Sequence, residues 1–166
     1  SIDGSSNPTQ TELSQFLKDG VIDVTNKCMM TMPQEADDFQ RVSAITDSNG
    51  SLDLNGAKIL GVSREAGEDG SSDGSTAWRP CNRISPTLES RVVDTSSLEF
   101  ASQYSPVYLI GDNGKVNVYP VPSSNNGFKV YYINNVPVDK SAAALVYSHS
   151  DIGFFSDHKV YLVVIY

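Results

Sequence analysis

The sequence predicts an α+β fold in which a helical frame, made of an N-terminal helix and a C-terminal helix, carries a large inserted antiparallel β-meander region. Three observations predict it. Apolar residues recur at the helical period near the start of the chain, and a helix-start signal appears near its end. Between them, Asn113-Gly114 separates two runs of β-branched and aromatic residues, which is typical of a β-hairpin.

The length of 166 residues favours one domain. A chain of this size can bury roughly 70% of its unfolded surface in a single core. We therefore predict a single domain over 1–166. It divides into an N-terminal helix (1–32), a β-rich insertion (33–135) with a loop at 65–76, and a return to helix (136–166). Because the apolar run at the end has no stop signal, we expect the natural chain to continue beyond it.

The N-terminal helix has start signals and one apolar stripe. Asn7 is the predicted cap, Pro8 the first helical residue and Gln10 the partner in a capping box. Gly20 costs about 1 kcal/mol relative to Ala, which packing of the stripe can offset. Three methionines before Pro33 are interpreted as gap-filling core residues. The stripe consists of Leu13, Phe16, Leu17, Val21, Val24 and Cys28, and the methionines are Met29, Met30 and Met32.

Short elements separated by turns follow this helix. The pattern predicts a helical turn at 33–38, strands at 39–46 and 58–63, and a short helix at 85–93. Residues 65–76 contain four acids, three glycines and no large apolar residue. Such a segment cannot offset its ordering entropy, so we expect an exposed loop there.

Residues 104–132 predict a three-stranded meander. Asn113 and Gly114 form its first turn, because both tolerate positive φ. A second turn at 123–127 returns the chain into a third strand with alternating large side chains. The third strand contains Phe128, Val130 and Tyr132.

The last element is ambiguous from its residues. Ser156 can cap a helix that begins at Asp157, whose carboxylate would lie at the positive helix end. By propensity alone, residues 160–166 would instead form a buried strand, and periodicity cannot decide a run this short.

Composition excludes several classes of function. The net charge of −8, from 20 acidic and 12 basic residues, disfavours binding to a phosphate backbone, and no basic patch is visible. Cys28 and Cys81 belong to no metal-binding motif, so we predict two reduced, buried thiols rather than a disulfide. The longest apolar stretch, 160–166, is far shorter than a membrane span, and a cytoplasmic origin is the default expectation.

No recognisable catalytic set is present, so we predict no enzyme activity, no cofactor and no metal. The acidic segment 47–53 has its glycine at the wrong position for a calcium loop, which favours a β-turn. His149 and His158 are interpreted as structural residues, because no nucleophile lies in a strand-turn-helix elbow. The acidic loop at 65–76 is interpreted as solvated rather than as a weak cation site.

Three segments resemble the head-to-tail connector (adaptor or neck) proteins of tailed bacteriophages. They are 12–26 (ELSQFLKDGVIDVTN), 106–122 (PVYLIGDNGKVNVYPVP) and 157–166 (DHKVYLVVIY), and the likeness extends over about two-thirds of the chain. In that family an N-terminal helix is followed by a β-rich insertion and a return to helix. The resemblance therefore implies that 157–166 is helical, against the strand propensity of its valines.

The implied function is that of a virion structural protein. Connectors of this family form homo-oligomeric rings, commonly of about twelve copies, that bind the portal and present a platform to the tail. The resemblance implies a location in the virion after synthesis in the host bacterial cytoplasm, with no membrane. DNA would pass through the ring without sequence-specific binding. The acidic composition adds the hypothesis that like charge on the lumen keeps the genome from adhering.

We expect the subunit interface to use the meander and the N-terminal helix. Prolines at 120 and 122 cannot donate to a strand ladder, so pairing should end there and leave that edge for a partner or solvent. The predicted interface residues are Tyr108, Tyr119, Pro120, Pro122, Phe128, Tyr132, Phe16 and Val24.

Two other functions stay open. Another virion structural part, such as the attachment head of a fibre or a baseplate component, would be favoured by a long helical or repeat-rich extension after residue 166. A carbohydrate-binding β-module would be favoured if Tyr104, Tyr108 and Trp78 were exposed on one concave face. More often such aromatic residues are cross-strand pairs that stabilise a sheet.

Overall fold

The computed structural model describes residues 7–47, 49–66, 77–123 and 126–164. It contains helices and two mostly antiparallel sheets, so the predicted α+β class is confirmed. The predicted loop lies outside the described residues, except for Glu65 and Ala66. These two are buried, and Glu65 is the last residue of a strand.

The chain divides into two compact units. Unit 1 comprises Ser1–Arg41 and Asn134–Tyr166, and unit 2 is the continuous segment Val42–Ile133. The expectation that 1–166 is one domain stays a prediction. The helices are α1 (Gln10–Thr31), α2 (Glu89–Val93) and α3 (Asp157–Val164). The strands are β1 (Gln40–Val42), β2 (Ser51–Leu52), β3 (Lys58–Glu65), β4 (Trp78–Pro80), β5 (Asn82–Arg83), β6 (Val107–Ile110), β7 (Val116–Tyr119) and β8 (Phe128–Ile133).

Helix α1 begins two residues later than the sequence pattern predicted. Thr9 is the N-cap: its hydroxyl accepts a hydrogen bond from Glu12 N, and the Glu12 carboxylate accepts one from Thr9 N at 2.8 Å. The predicted cap, Asn7, and partner, Gln10, are therefore wrong. Thr9 and Glu12 cap the helix instead, because they form the Ser/Thr-x-x-Glu capping box, which satisfies two backbone donors at once.

Gly20 has a packing role in α1. A Cβ added at Gly20 would lie 3.0 Å from Val163 Cγ1 and 3.2 Å from Val163 O. The missing side chain therefore lets α3 approach α1 closely. The methionine interpretation is wrong for Met30, which is 83% exposed, whereas Met29 and Met32 are partly buried.

The first sheet has the order β1-β8-β3-β4. Strands β8 and β3 are its two central strands: Val62 of β3 lies opposite Val130 of β8, and Arg64 lies opposite Phe128. The predicted strand at 58–63 is confirmed. Strand β1 carries the chain into unit 2, and its last residue, Val42, belongs to that unit.

The second sheet has the order β2-β7-β6-β5, with β5 parallel to β6 and the other pairs antiparallel. The predicted β6–β7 hairpin is confirmed, with Asn113 and Gly114 at φ values of 58° and 76°. A Cβ at Gly114 would lie 3.1 Å from the Cα of Gly56 in a neighbouring turn. Both the positive φ and this close approach therefore favour glycine at position 114.

The third strand of the predicted meander exists as β8, but its predicted pairing with the hairpin is wrong. Strand β8 pairs with β3 in the first sheet and not with β7. Pro120 and Pro122 follow β7 directly, and because neither has a backbone N–H, the ladder stops there. The apolar partner for Val130 is then Val62 of β3.

Helix α3 confirms the predicted C-terminal helix. It begins directly after Ser156, whose carbonyl accepts a hydrogen bond from Lys159 N at 2.9 Å. Tertiary contacts outweigh the strand propensity of its valines, since Val163 packs on Gly20 and Lys159 is buried among acids. The predicted helical turn after Pro33 is a 3₁₀ helix, Pro33–Phe39, and the predicted short helix comprises the 3₁₀ turn Pro86–Leu88 and α2.

Unit 2 has its main core between the two sheets. Both cysteines of the chain are buried with free thiols, as predicted, and Cys81 belongs to this core. Burial raises the pKa of Cys81 to about 12, so its thiol stays protonated and inert. The buried members of the core are Val62, Cys81, Tyr108, Val116, Val118, Phe128 and Val130.

Candidate functional site

The predicted interface residues differ widely in exposure. Four are buried, three are partly buried, and the side chain of Phe16 on α1 is 65% exposed. The buried residues are Tyr108, Pro122, Phe128 and Val24, and the partly buried ones are Tyr119, Pro120 and Tyr132.

The interface prediction is therefore corrected for the four buried residues. Phe128 has no exposed surface, and Tyr108 and Tyr132 pack in the same core cluster. The alternation in β8 correctly places Phe128 and Val130 on one face, but that face is covered by the second sheet and not by another subunit. For Phe16, Tyr119, Pro120 and Tyr132, a role at an interface stays a prediction.

Tyr119 has a partner within its own chain. Its side chain packs against the small core cluster of Val92, Ala101 and Val107, and its hydroxyl donates a hydrogen bond to Glu89 Oε1 at the start of α2. Burial and this hydrogen bond raise the pKa of Tyr119 to about 12. Tyr119 thus connects α2 to β7.

The aromatic residues do not form the exposed sugar platform considered above. Tyr104 is 57% exposed, but Tyr108 is only 6% exposed and belongs to the core. Trp78 is partly buried, and Lys129 Nζ lies 4.2 Å from its ring centroid. The condition that would favour a carbohydrate-binding module is therefore not met.

The two histidines each lie next to an aspartate of unit 1. His149 Nδ1 is 3.5 Å from Asp139 Oδ2, and His158 Nε2 is 3.6 Å from Asp38 Oδ2. The Ser141 hydroxyl, which donates to Asp139, is the main reason that the pKa of Asp139 is lowered. Within the described ranges, no group of three or more His, Cys, Asp or Glu side chains is placed to hold a metal ion.

In unit 1, two acids and an aromatic ring surround the ammonium of Lys159. Its ammonium lies 2.5 Å from Glu35 Oε2, 2.6 Å from Asp38 Oδ2 and 4.9 Å from the centroid of the Phe39 ring. The Lys159 side chain is only 5% exposed. Burial alone would lower the pKa of Lys159, but the bonds to the two acids raise it overall. The hydrogen bond from Lys159 lowers the pKa of Asp38. This contact fastens α3 to the 3₁₀ helix after α1.

The exposed apolar side chains of the described residues include a pair on α1 and three that follow one another closely in unit 2. On α1, Phe16 is 65% and Leu13 is 38% exposed. In unit 2, Leu98 is completely exposed, with Val93 at 53% and Phe100 at 41%. Our sequence reasoning missed this second group. The signal that could have found it is the presence of two large apolar residues, Leu98 and Phe100, just after the turn-forming Asp-Thr-Ser-Ser of 94–97.

No protein-family model matches the chain, and no curated protein matches it. None of the helices in the described part of the chain is both long and apolar enough to cross a membrane.

Proposed function

We propose that this chain is a head-to-tail connector of a tailed bacteriophage virion, which forms a ring between the portal and the tail. The observation that carries the proposal is the order of its elements. Helices α1 and α3 belong to one compact unit, and the β-rich unit 2 is inserted between them as a continuous segment. This is the arrangement that the resemblance to connector proteins implies.

Apolar surface on the frame supports a role in assembly. Phe16 and Leu13 expose large side chains on α1, one turn apart. Aromatic residues of this kind are enriched at protein interfaces, where they contribute much of the binding energy. We therefore place part of the contact between neighbouring subunits on this face of α1.

The acidic composition suits a ring through which DNA passes. A net charge of −8 repels phosphate and would limit adhesion of the genome. Mapping the acids onto the assembled ring tests this point. Acids on the outer surface, around a neutral or basic lumen, would contradict it.

The ring itself is tested by native mass spectrometry and electron microscopy of the purified chain. We expect closed rings for the wild type and mostly monomers for Phe16→Glu, because a charge on α1 would be buried at the interface. The matched control is Gln34→Glu, which adds the same charge at an exposed position of unit 1 and should keep the ring. Circular dichroism should be unchanged in both variants. A wild-type chain that stays monomeric at every accessible concentration contradicts the proposal.

A further inference from the structure

Three exposed apolar side chains lie within one eight-residue stretch of unit 2. They are Val93, Leu98 and Phe100, and we call this stretch the Leu98 knob. Leu98 is exposed over its whole side chain, and the other two are about half exposed. A cluster of large apolar side chains at the surface usually marks a contact with another molecule.

Backbone hydrogen bonds connect the knob segment to itself and to α2. Ser97 N donates to Asp94 O at 3.0 Å, Phe100 N donates to Ser97 O at 3.2 Å, and Ala101 N donates to Val92 O at 3.0 Å. The Asp94 side chain adds a bond from Ser96 N at 2.9 Å. A projection that is already ordered loses little entropy on binding, which favours affinity.

Acidic side chains flank Leu98. Asp94 and Glu99 lie beside it, and among the described residues the carboxylate of Glu99 forms one ion pair, a solvent-exposed contact with Arg91 at 3.4 Å. Exposed pairs of this kind contribute little and can rearrange. The knob therefore presents an apolar tip beside two acids and one arginine, so that acidic charge is in excess around it.

Unit 1 carries a groove whose lining includes a cation instead of acids. A cavity of about 430 Å³ lies between one face of α1 and the segment 146–147, and we call it the Lys18 groove. Its wall is held in place by Tyr147 N, which donates to Ser14 Oγ at 3.1 Å. Lys18 is the charged residue of the lining, and within the described residues it forms no ion pair. The lining residues are Gln10, Thr11, Ser14, Gln15, Lys18, Val146 and Tyr147.

We propose that the Leu98 knob of one copy docks into the Lys18 groove of the next copy in the ring. The inference rests on the proposed function, since it names the contact by which the ring closes. The chain itself carries both halves: an apolar tip with acids, and a cavity lined by Tyr147 and by Lys18, which forms no ion pair within the described part of the chain. Because the two surfaces differ, the contact is heterologous, and such contacts generate rings when the rotation closes. Asp94 and Glu99 would then pair with Lys18 of the neighbour.

The test is a charge-reversal cycle on the full chain, read by native mass spectrometry and analytical ultracentrifugation. Glu99→Lys and Lys18→Glu should each raise the dissociation constant between copies by about tenfold. In the double variant the dissociation constant should return most of the way to the wild-type value. Leu98→Asp should raise it by about a hundredfold. The matched controls, Asp112→Lys and Lys58→Glu, reverse charges at other exposed positions and should leave assembly unchanged.

A cross-linking experiment tests the same contact directly. A chain with both Leu98→Cys and Tyr147→Cys should form a ladder of disulfide-linked multimers under mild oxidation. Each single variant should give at most a linked dimer, because it offers one exposed thiol per chain while Cys28 and Cys81 are buried. Each variant is expected to keep the unfolding midpoint of the wild type.

The outcomes separate the two proposals. The knob-groove contact is overturned if rings form normally in Leu98→Asp. It is also overturned if combining Glu99→Lys with Lys18→Glu does not restore the assembly that each single variant loses. Either result leaves the connector proposal standing. A wild type that never assembles overturns the connector proposal, and this inference with it. Rescue in the cycle, together with a ladder only in the double-cysteine chain, supports the contact.

Discussion

Among single residues of unit 2, Tyr119 and Cys81 both have strongly raised pKa values. Burial is the largest cause in both, and it raises each pKa to about 12. For Tyr119, the hydrogen bond to Glu89 adds to the effect. In both cases the protonated form is the one that fits the folded structure.

Alkaline solution should therefore destabilise the protein. The folded pKa of Tyr119, about 12, exceeds the ordinary value of 10.0. Between these values the folded state keeps a proton that the unfolded state has lost. The free energy of unfolding should thus fall as the pH rises from about 10 to about 12. Tyr119→Phe should show a shallower fall in urea titrations at several pH values.

The control for that prediction is Tyr104→Phe, which removes a hydroxyl from an exposed tyrosine. It should keep the wild-type slope. Some slope should remain in Tyr119→Phe as well, because the pKa values of Cys81 and Tyr108 are also raised. If the free energy of unfolding fell equally steeply with pH in Tyr119→Phe and in the wild type, Tyr119 would not contribute to the alkaline destabilisation.

At the scale of elements, the packing of α1 on α3 depends on the absence of one side chain. Gly20 lies in the middle of α1, where glycine normally destabilises a helix by about 1 kcal/mol relative to Ala. The close approach of Val163 explains why it is present. Gly20 thus weakens α1 itself but permits the close contact between α1 and α3.

Gly20→Ala should accordingly lower the stability of the protein, although Ala is the better helix former. The new methyl group would meet both the side chain and the carbonyl of Val163, and overpacking typically costs about 1–3 kcal/mol. Chemical denaturation measures the change. Gly61→Ala is the matched control, since its Cβ would meet no atom within 4 Å and should cost little. Equal or greater stability in Gly20→Ala would contradict this packing role.

Local signals predicted most elements, and tertiary contacts decided the others. Asn113-Gly114 predicted the β6–β7 hairpin because both turn residues require positive φ. The partner of β8 could not be predicted in this way: the alternation in β8 fixes its faces, but its neighbour comes from β3, more than 60 residues away. Periodicity likewise identified Phe128 as a residue of a covered face without saying what covers it.

At the scale of the whole molecule, burial separates the residues that stabilise the fold from those that are available for assembly. Phe128 lies in the core of unit 2 with no exposed surface, whereas Phe16 lies on the surface of unit 1. We expect Phe128→Ala to lower the free energy of unfolding by about 3–5 kcal/mol, because it leaves a cavity. Phe16→Ala should change it by no more than about 0.5 kcal/mol.

Urea unfolding of both variants provides the measurement, at concentrations where the chain is monomeric. Sequence reasoning placed these two phenylalanines in one interface. A small effect of Phe128→Ala, or a large effect of Phe16→Ala on the monomer, would reverse the assignment of core and surface made here.

The ion pair between Lys159 and Asp38 joins residues 121 positions apart. During translation, Lys159 leaves the ribosome only after the whole of Val42–Ile133 has been made. The acids Glu35 and Asp38 therefore remain without their cation while unit 2, as one continuous segment, can already fold. The order of synthesis thus allows the β-rich unit to be completed before α3 can join unit 1.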